Sequence, residues 1–331
     1  MGRVMLDVQG HTLSAEERDM LDHPMVGGVI LFTRNYDNLN QLRDLVRELR
    51  EAARQPLVIA VDHEGGRVQR FRHGFSRLPA MGSILERCNH SLGSAQKSAT
   101  ELGWLMAAEL RAMDIDLSFA PVLDMHGISD VIGDRAFHSD GDVIVHLAAA
   151  FIHGMQDANM ASCGKHFPGH GNVKEDSHVA IPRDLRSKDE IFDKDMAVFT
   201  RLHQMRLLDA LMPAHVIYPA VDEQPAGFSK IWIEQVLRQQ LGFAGVVFSD
   251  DLSMQGAAVA GDYAERAEAA INAGCDVALI CNNPQGAMQI LDKANIGSPT
   301  LPMRTLKRPA TLTWRELQQS DRWQYSQRLL D

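Results

Sequence analysis

Lys165, His166, His170, Asp176 and His178 fall within 14 residues of one another. In Lys165-His166-Phe167-Pro168-Gly169-His170-Gly171 a lone histidine would suit a satisfied loop residue. Three imidazoles and an ammonium beside an acid instead favour proton chemistry. Asp176 and His178 are two apart, so in an extended segment they project to the same side. A carboxylate beside an imidazole fixes its tautomer and raises its basicity, the logic of a catalytic dyad. A second stretch, Asp62-His63-Glu64-Gly65-Gly66-Arg67-Val68-Gln69-Arg70, admits two readings: a tight turn with a surface ion pair, or a polar clamp for a hydroxylated ligand. His63-Glu64 begins like the zinc-protease H-E-x-x-H, but position 67 is Arg, so that motif fails. A third stretch ends an apolar run in Ser249-Asp250-Asp251. Asp251 suits a helix N-cap, and in an extended strand at most one of the two acids faces a pocket. Met212-Pro213-Ala214-His215 adds one histidine that fits a structural role as well as a functional one.

These residues need a frame that brings distant segments together. Short, nearly continuous apolar runs at residues 4–8, 28–32, 57–61, 115–120, 160–164, 209–212, 245–248 and 277–281 read as eight strands covered on both faces. Between them, Leu39, Leu42, Leu45, Val46 and Leu49 recur at helical spacing, as do Leu102, Leu105, Met106, Leu110 and Met113. Ser187 with Glu190 and Asp262 with Glu265 form capping pairs, and Asn283-Pro284 opens a further helix. This alternation predicts an α/β fold, a single-domain (β/α)8 TIM barrel spanning residues 1–331, with residues from about 296 onward packing outside it. An open doubly wound sheet usually carries a glycine-rich phosphate turn, and neither G-x-G-x-x-G nor G-x-x-x-x-G-K-[ST] occurs. In a barrel the polar residues that follow the strands line the C-terminal rim, where active sites are built. Asp62, Asp124, Lys165, His166, His215 and Asp250 all hold such positions. The connections after residues 62 and 166 are long enough to be read as functional loops.

Composition narrows the choice of ligand. The formal net charge of −10 argues against nucleic acid and anionic membrane as partners. Cys88, Cys163, Cys275 and Cys281 lie far apart with no C-x-x-C pair, as expected of reduced thiols in a cytoplasmic protein. The first ten residues lack the apolar stretch of a signal peptide, and no run approaches the ~20 apolar residues of a membrane span. A monomer that needs no cofactor and no metal is expected.

Residues 62–70, Phe119-Ala120-Pro121-Val122, Arg135-Ala136-Phe137, residues 165–171, Asp176-Ser177-His178, residues 212–215 and residues 248–254 together resemble glycoside hydrolase family 3. The likeness is to its single-domain bacterial β-N-acetylglucosaminidases of peptidoglycan recycling. The resemblance runs from about residue 6 to residue 283. It implies Asp250 as nucleophile, His178 as general acid/base and Asp176 as the residue tuning it. It implies further that Asp62, Arg70, Arg135, Lys165 and His166 hold the terminal sugar of a muropeptide fragment. Should His178 not be the acid, His166 or Glu64 comes next. His63 departs from the family, which usually carries Gln there, so the polarity of that pocket edge is open. Many family members take the acid/base from a second domain, for which this chain has no room. A histidine acid is unusual among glycosidases, but its pKa of about 6.5 suits proton transfer near neutrality. The alternatives are a metal-dependent barrel hydrolase, disfavoured by the lack of standard ligand spacing, and a non-catalytic sugar-binding barrel.

Overall fold

The structure is a computed structural model and describes residues 1–174, 181–298 and 303–330. Eight parallel strands form where the apolar runs lie: β1 (Val4–Asp7), β2 (Val26–Leu31), β3 (Val58–Val61), β6 (Leu117–Ser118), β7 (Cys163–Phe167), β8 (Ala210–Pro213), β11 (Val246–Val247) and β12 (Ala278–Leu279). Two antiparallel hairpins decorate them, β4 (His63–Gly65) with β5 (Val68–Gln69), and β9 (Ile217–Tyr218) with β10 (Asp222–Pro225).

The strands do not make the regular closed (β/α)8 barrel expected from the sequence, and that expectation is corrected here. They divide into a five-stranded sheet, β12-β1-β2-β3-β6, and a three-stranded sheet, β11-β8-β7. The seams carry isolated bridges, such as Leu117 with Ala161 and Phe248 with Val277, in place of a ladder. The reason lies in the seam strands: β6, β11 and β12 have two residues each. Beyond β6 stands Pro121, which has no N–H to donate.

Strand alternation sorts side chains between two cores. Met5, Ile30, Val58, Ala60, Leu117, Cys163, Ala210, Val246 and Leu279 face an interior that both sheets share. Their neighbours Leu6, Val29, Ile59, Val61, Leu211 and Val247 face the helices. Met303 and Leu306 pack on the shared interior. The helix Leu39–Ala52 buries Leu42, Leu45, Val46 and Leu49, its one apolar stripe. The long helix Leu92–Ala112 starts on Ser91, whose side chain accepts the Ser94 N–H. The expected capping boxes occur at Ser187/Glu190 and Asp262/Glu265, and Asn283 caps the helix Pro284–Lys293. Among the described residues, no helix is long and apolar enough to cross a membrane.

Candidate active site

Extending the inward-facing positions of the strands by one step builds the site. Val58 and Ala60 lead to Asp62, Cys163 to Lys165, Ala210 to Met212, Val246 and Phe248 to Asp250, and Leu279 to Cys281. All five of these end residues line one cavity of ≈ 500 Å³, with Phe32, Phe119, Arg70, Arg135, His166, His170 and Asn282. Every described residue singled out for the site, namely Asp62, Arg70, Arg135, Lys165, His166 and Asp250, therefore borders the same space. Asp176 and His178 lie outside the described residues.

His166 follows Lys165 directly, yet both reach the cavity. The pairing of β7 with β8 shifts register between Lys165 and Phe167, which breaks the alternation at His166. A similar device shapes residues 62–70. Gly65 and Gly66 have φ of 110° and 56°, which only glycine adopts readily. A Cβ on Gly65 would also stand 2.5 Å from the Pro79 carbonyl oxygen. The tight turn lets the hairpin fold back so that Arg70 meets Asp62, Nη2 to Oδ2, at 3.2 Å.

The polar groups form one connected network. Lys165 Nζ donates to Asp62 Oδ1 at 2.8 Å and pairs with Glu64 Oε1 at 2.6 Å. Arg135 grips Glu64 in a two-pronged pair, with Nε and Nη2 each 2.8 Å from a carboxylate oxygen. Burial opposes ionisation of Asp62, but the Lys165 ammonium and Arg70 guanidinium outweigh it and hold this carboxyl well below the usual carboxylate range. Burial likewise opposes the charge on Glu64, and Arg135 and Lys165 bring it down to about 2. A carboxylate held so firmly as an anion is poorly suited to be a proton donor. Burial disfavours the Lys165 charge, yet Asp62 and Glu64 raise its pKa.

Asp124 anchors the loop after β7. Its Oδ1 accepts the backbone N–H groups of His166 (3.1 Å) and His170 (2.7 Å), and its Oδ2 lies 2.6 Å from His166 Nδ1. That contact leaves His166 Nε2 as the nitrogen available to a ligand. Burial and the neighbouring His166 lower the pKa of His170.

The sequence allows only one of the adjacent acids to face the pocket, but both Asp250 and Asp251 border it. Their tasks differ. Asp251 Oδ1 accepts from the N–H groups of Ser253 (2.9 Å) and Cys281 (3.0 Å), and its Oδ2 from the Ser253 hydroxyl (2.7 Å). Burial pushes the Asp251 carboxyl up to about 6, partly countered by these donors and reinforced by Asp250. Asp251 thus ties the turn to the adjacent β12 segment. His215 supports that turn from beneath: its Nε2–H donates to the Asp251 carbonyl at 3.1 Å, and its ring stacks on Phe228. Burial lowers its pKa, partly countered by Asp250.

His63 does not edge the cavity. It is 1% exposed and packs against Phe71 and Phe75. Burial and then Arg70 lower its pKa to about 3. His63 therefore belongs to the packing beneath the site and forms no part of the pocket wall. The sequence places Asp124 at the strand-end rim and offers Glu64 as an alternative acid, but the part each plays in holding Lys165, Arg135, His166 and His170 appears only in the structure. The spacing of Asp62 and Glu64 by two, the same-side spacing of a strand, is the signal that could have found that part for Glu64.

Comparison with known proteins identifies the frame. The profile of the glycosyl hydrolase family 3 N-terminal domain matches residues 3–310. The chain belongs to this family. A β-hexosaminidase of Tolumonas auensis is 57% identical over 327 residues, covering 99% of this chain and 96% of the relative. The crystal structure of native NagZ from Neisseria gonorrhoeae superposes with a TM-score of 0.92 at 42% identity, covering 99% of this chain and 96% of that one. The same Neisseria protein in complex with N-trifluoroacetyl-D-glucosamine is 43% identical to this chain, with a TM-score of 0.92. The family 3 assignment makes this chain a glycoside hydrolase.

Proposed function

We propose that this family 3 enzyme is a retaining exo-β-N-acetylglucosaminidase. It removes terminal, non-reducing N-acetyl-β-D-glucosamine from muropeptide fragments in peptidoglycan recycling. The observation that carries the reading is the convergence of Asp250 with Asp62, Arg70, Arg135, Lys165 and His166 on one cavity of ≈ 500 Å³. The names of full-length relatives and the acetamido sugar bound to the Neisseria protein support the substrate.

In this reading Asp250 attacks the anomeric carbon while the His178 imidazolium gives its proton to the departing glycosidic oxygen. The bond to the aglycone breaks and an ester to Asp250 forms. Water then attacks the anomeric carbon, His178 takes its proton, and the Asp250 carboxylate leaves. Asp176 orients His178 and stabilises its charged form. Asp62, Arg70, Arg135, Lys165 and His166 hold the sugar through its hydroxyls and acetamido group. The ionised network of Asp62, Lys165 and Glu64 is already ordered before a sugar arrives, so little reorganisation opposes binding. The same reading takes residues 1–331 as one catalytic unit, a cytoplasmic monomer, with the segment from about 296 wrapping its outside except where Met303 and Leu306 reach the shared interior.

Trapping tests the central assignment. A fluorinated slow substrate is expected to leave a sugar on the peptide containing Asp250, and Asp250→Asn to fold normally but lose nearly all turnover. A sugar on Asp251, or full activity in Asp250→Asn, overturns the assignment. Activity is also expected to survive exhaustive chelation, because side chains carry both the nucleophilic and the proton-transfer roles. Loss with EDTA and recovery with zinc would defeat that part.

A further inference from the structure

The sheet releases the chain before Asp250 is reached. The ladder of β11 with β8 ends at Val247, and a single bridge, Phe248 with Val277, follows it. Asp250, Asp251, Ser253 and Met254 all line the cavity, yet they stand on irregular backbone beyond that bridge. Such a segment takes its shape from hydrogen bonds outside any ladder. One of them fixes the proposed nucleophile directly: the Asp251 N–H donates to Asp250 Oδ1 at 2.8 Å. The direction of the Asp250 carboxylate thus depends on the peptide planes of the turn that follows it.

Arg266 grips that turn from outside the cavity. It stands in the helix Tyr263–Ala273 and does not line the cavity. Its Nη1 donates to the Leu252 carbonyl at 2.8 Å and its Nε to the Gly261 carbonyl at 2.9 Å. One planar guanidinium therefore staples both ends of the loop 252–261, which carries Ser253 and Met254. Gly261 has φ of 99°, and a Cβ there would stand 2.0 Å from Glu265 Oε2, so only glycine makes this return without strain.

The staple has a firm base. The Arg266 guanidinium stacks on the Tyr263 ring, 4.7 Å from its centroid. The Tyr263 hydroxyl accepts from Asn283 Nδ2 at 2.7 Å, next to the cavity residue Asn282. Arg266 also lies close to His215, the other support of the turn: burial and then the Arg266 charge lower the pKa of that imidazole, while Asp250 raises it.

We infer that Arg266 is a positioning residue for the nucleophile: its clamp on two carbonyls holds the 250–254 turn so that the Asp250 carboxylate meets the anomeric carbon. The inference rests on the assignment of Asp250 as nucleophile above. Hydrogen bonds from a charged donor are the stronger kind, and two from one rigid fork fix orientation as well as distance.

Trapping with the fluorinated slow substrate separates sugar binding from attack. The saturating rate constant of inactivation reports attack by Asp250, and the half-saturating concentration reports binding. In Arg266→Ala the rate constant is expected to fall about 10²-fold, the size of effect that a misplacement of ~1 Å produces. The half-saturating concentration and inhibition by N-acetylglucosamine should stay within about twofold of the parent, because the lost interaction acts on attack and not on ground-state binding. Ethylguanidinium, which supplies the missing fork, should restore much of the rate, and ethylammonium should not. Arg266→Lys keeps the charge and stem and decides the matter if the alanine variant does not fold. An ammonium has no rigid fork to span both carbonyls, so attack should slow while sugar affinity is kept. Absence of a sugar on the Asp250 peptide of the parent overturns the nucleophile reading and this inference with it. A sugar on Asp250 in the parent, with trapping rates unchanged in both variants, overturns the inference alone. So does a loss of sugar affinity and melting temperature in step with the rate, without rescue, which would make Arg266 a scaffold residue only.

Discussion

Glu64 carries more of the site than its position in a polar turn suggests. It joins Lys165 to Arg135 and keeps two cations fixed at the edge of the cavity. The network has a signed consequence for pH. An unfolded Glu titrates near 4.3, whereas Glu64 in the folded protein titrates at about 2. Because the folded value is the lower, the group contributes stability that is fully present above the unfolded value and is lost as pH falls through about 2. Glu64→Gln removes the anion but keeps the shape, leaving Lys165 and Arg135 to share Asp62. Breaking a buried pair in this way costs about 3–5 kcal/mol. Thermal unfolding at pH 7 should show that loss, and stability should fall less steeply between about pH 4.5 and pH 2 than in the parent. A melting temperature at pH 7 equal to the parent's would mean that the pairs contribute nothing.

The element of most consequence is the connection that leaves β7 and returns at the helix beginning with Lys188. Its described ends are well anchored: Asp124 holds His166 and His170 at one side, and Arg186 binds Asp184 and Asp195 at the other. Asp176 and His178 lie between these anchors in the sequence, and the proposed dyad is tested there. General acid help matters most for a poor leaving group and little for an activated phenol. His178→Ala should therefore impair hydrolysis of a disaccharide by about 10²–10⁴-fold. Formation of the glycosyl-enzyme from a dinitrophenyl glycoside should be nearly spared, with a burst in pre-steady-state traces. The measurement is the dependence of kcat/KM on leaving-group pKa. A slope identical to the parent's removes His178 from the acid role, and His166 then becomes the first alternative, since Glu64 is held as an anion.

At the scale of the whole molecule, the segment near the C-terminus closes one side of the fold. Trp314 packs edge-on against Phe75 at 5.2 Å between ring centroids, and Trp323 Nε1–H donates to the buried Glu109 at 2.9 Å. Neither Trp314 nor Phe75 lines the cavity. Trp314→Ala should thus lower stability by about 3 kcal/mol, at the low end for a large aromatic because its site lies at the edge of the core. Below the melting transition kcat/KM should stay within about twofold of the parent, since the indole supports packing and forms no part of the cavity wall. A variant with unchanged stability, or one folded but inactive, would show that the segment does something other than close the core.

Periodicity and residue type settled much of this locally. Apolar runs placed all eight parallel strands, and the polar residues just beyond them marked Asp62, Lys165, His166 and Asp250, because a strand of period two carries its inward face past its own end. Capping pairs marked helix starts because both partners sit three residues apart in the chain. Other features depended on segments remote in sequence. Asp62 meets Lys165 across 103 residues and Glu64 meets Arg135 across 71, pairings fixed by how strands and loops lie side by side. The division into sheets of five and three strands arose at seams where two-residue strands and Pro121 leave too few hydrogen bonds for a ladder. His63, read as a possible pocket edge, turned inward because Asp62 takes the cavity side of the same backbone. The chain's local order determines which side chains stand at the strand ends; only the tertiary arrangement decides which of them share a proton, a charge or a wall.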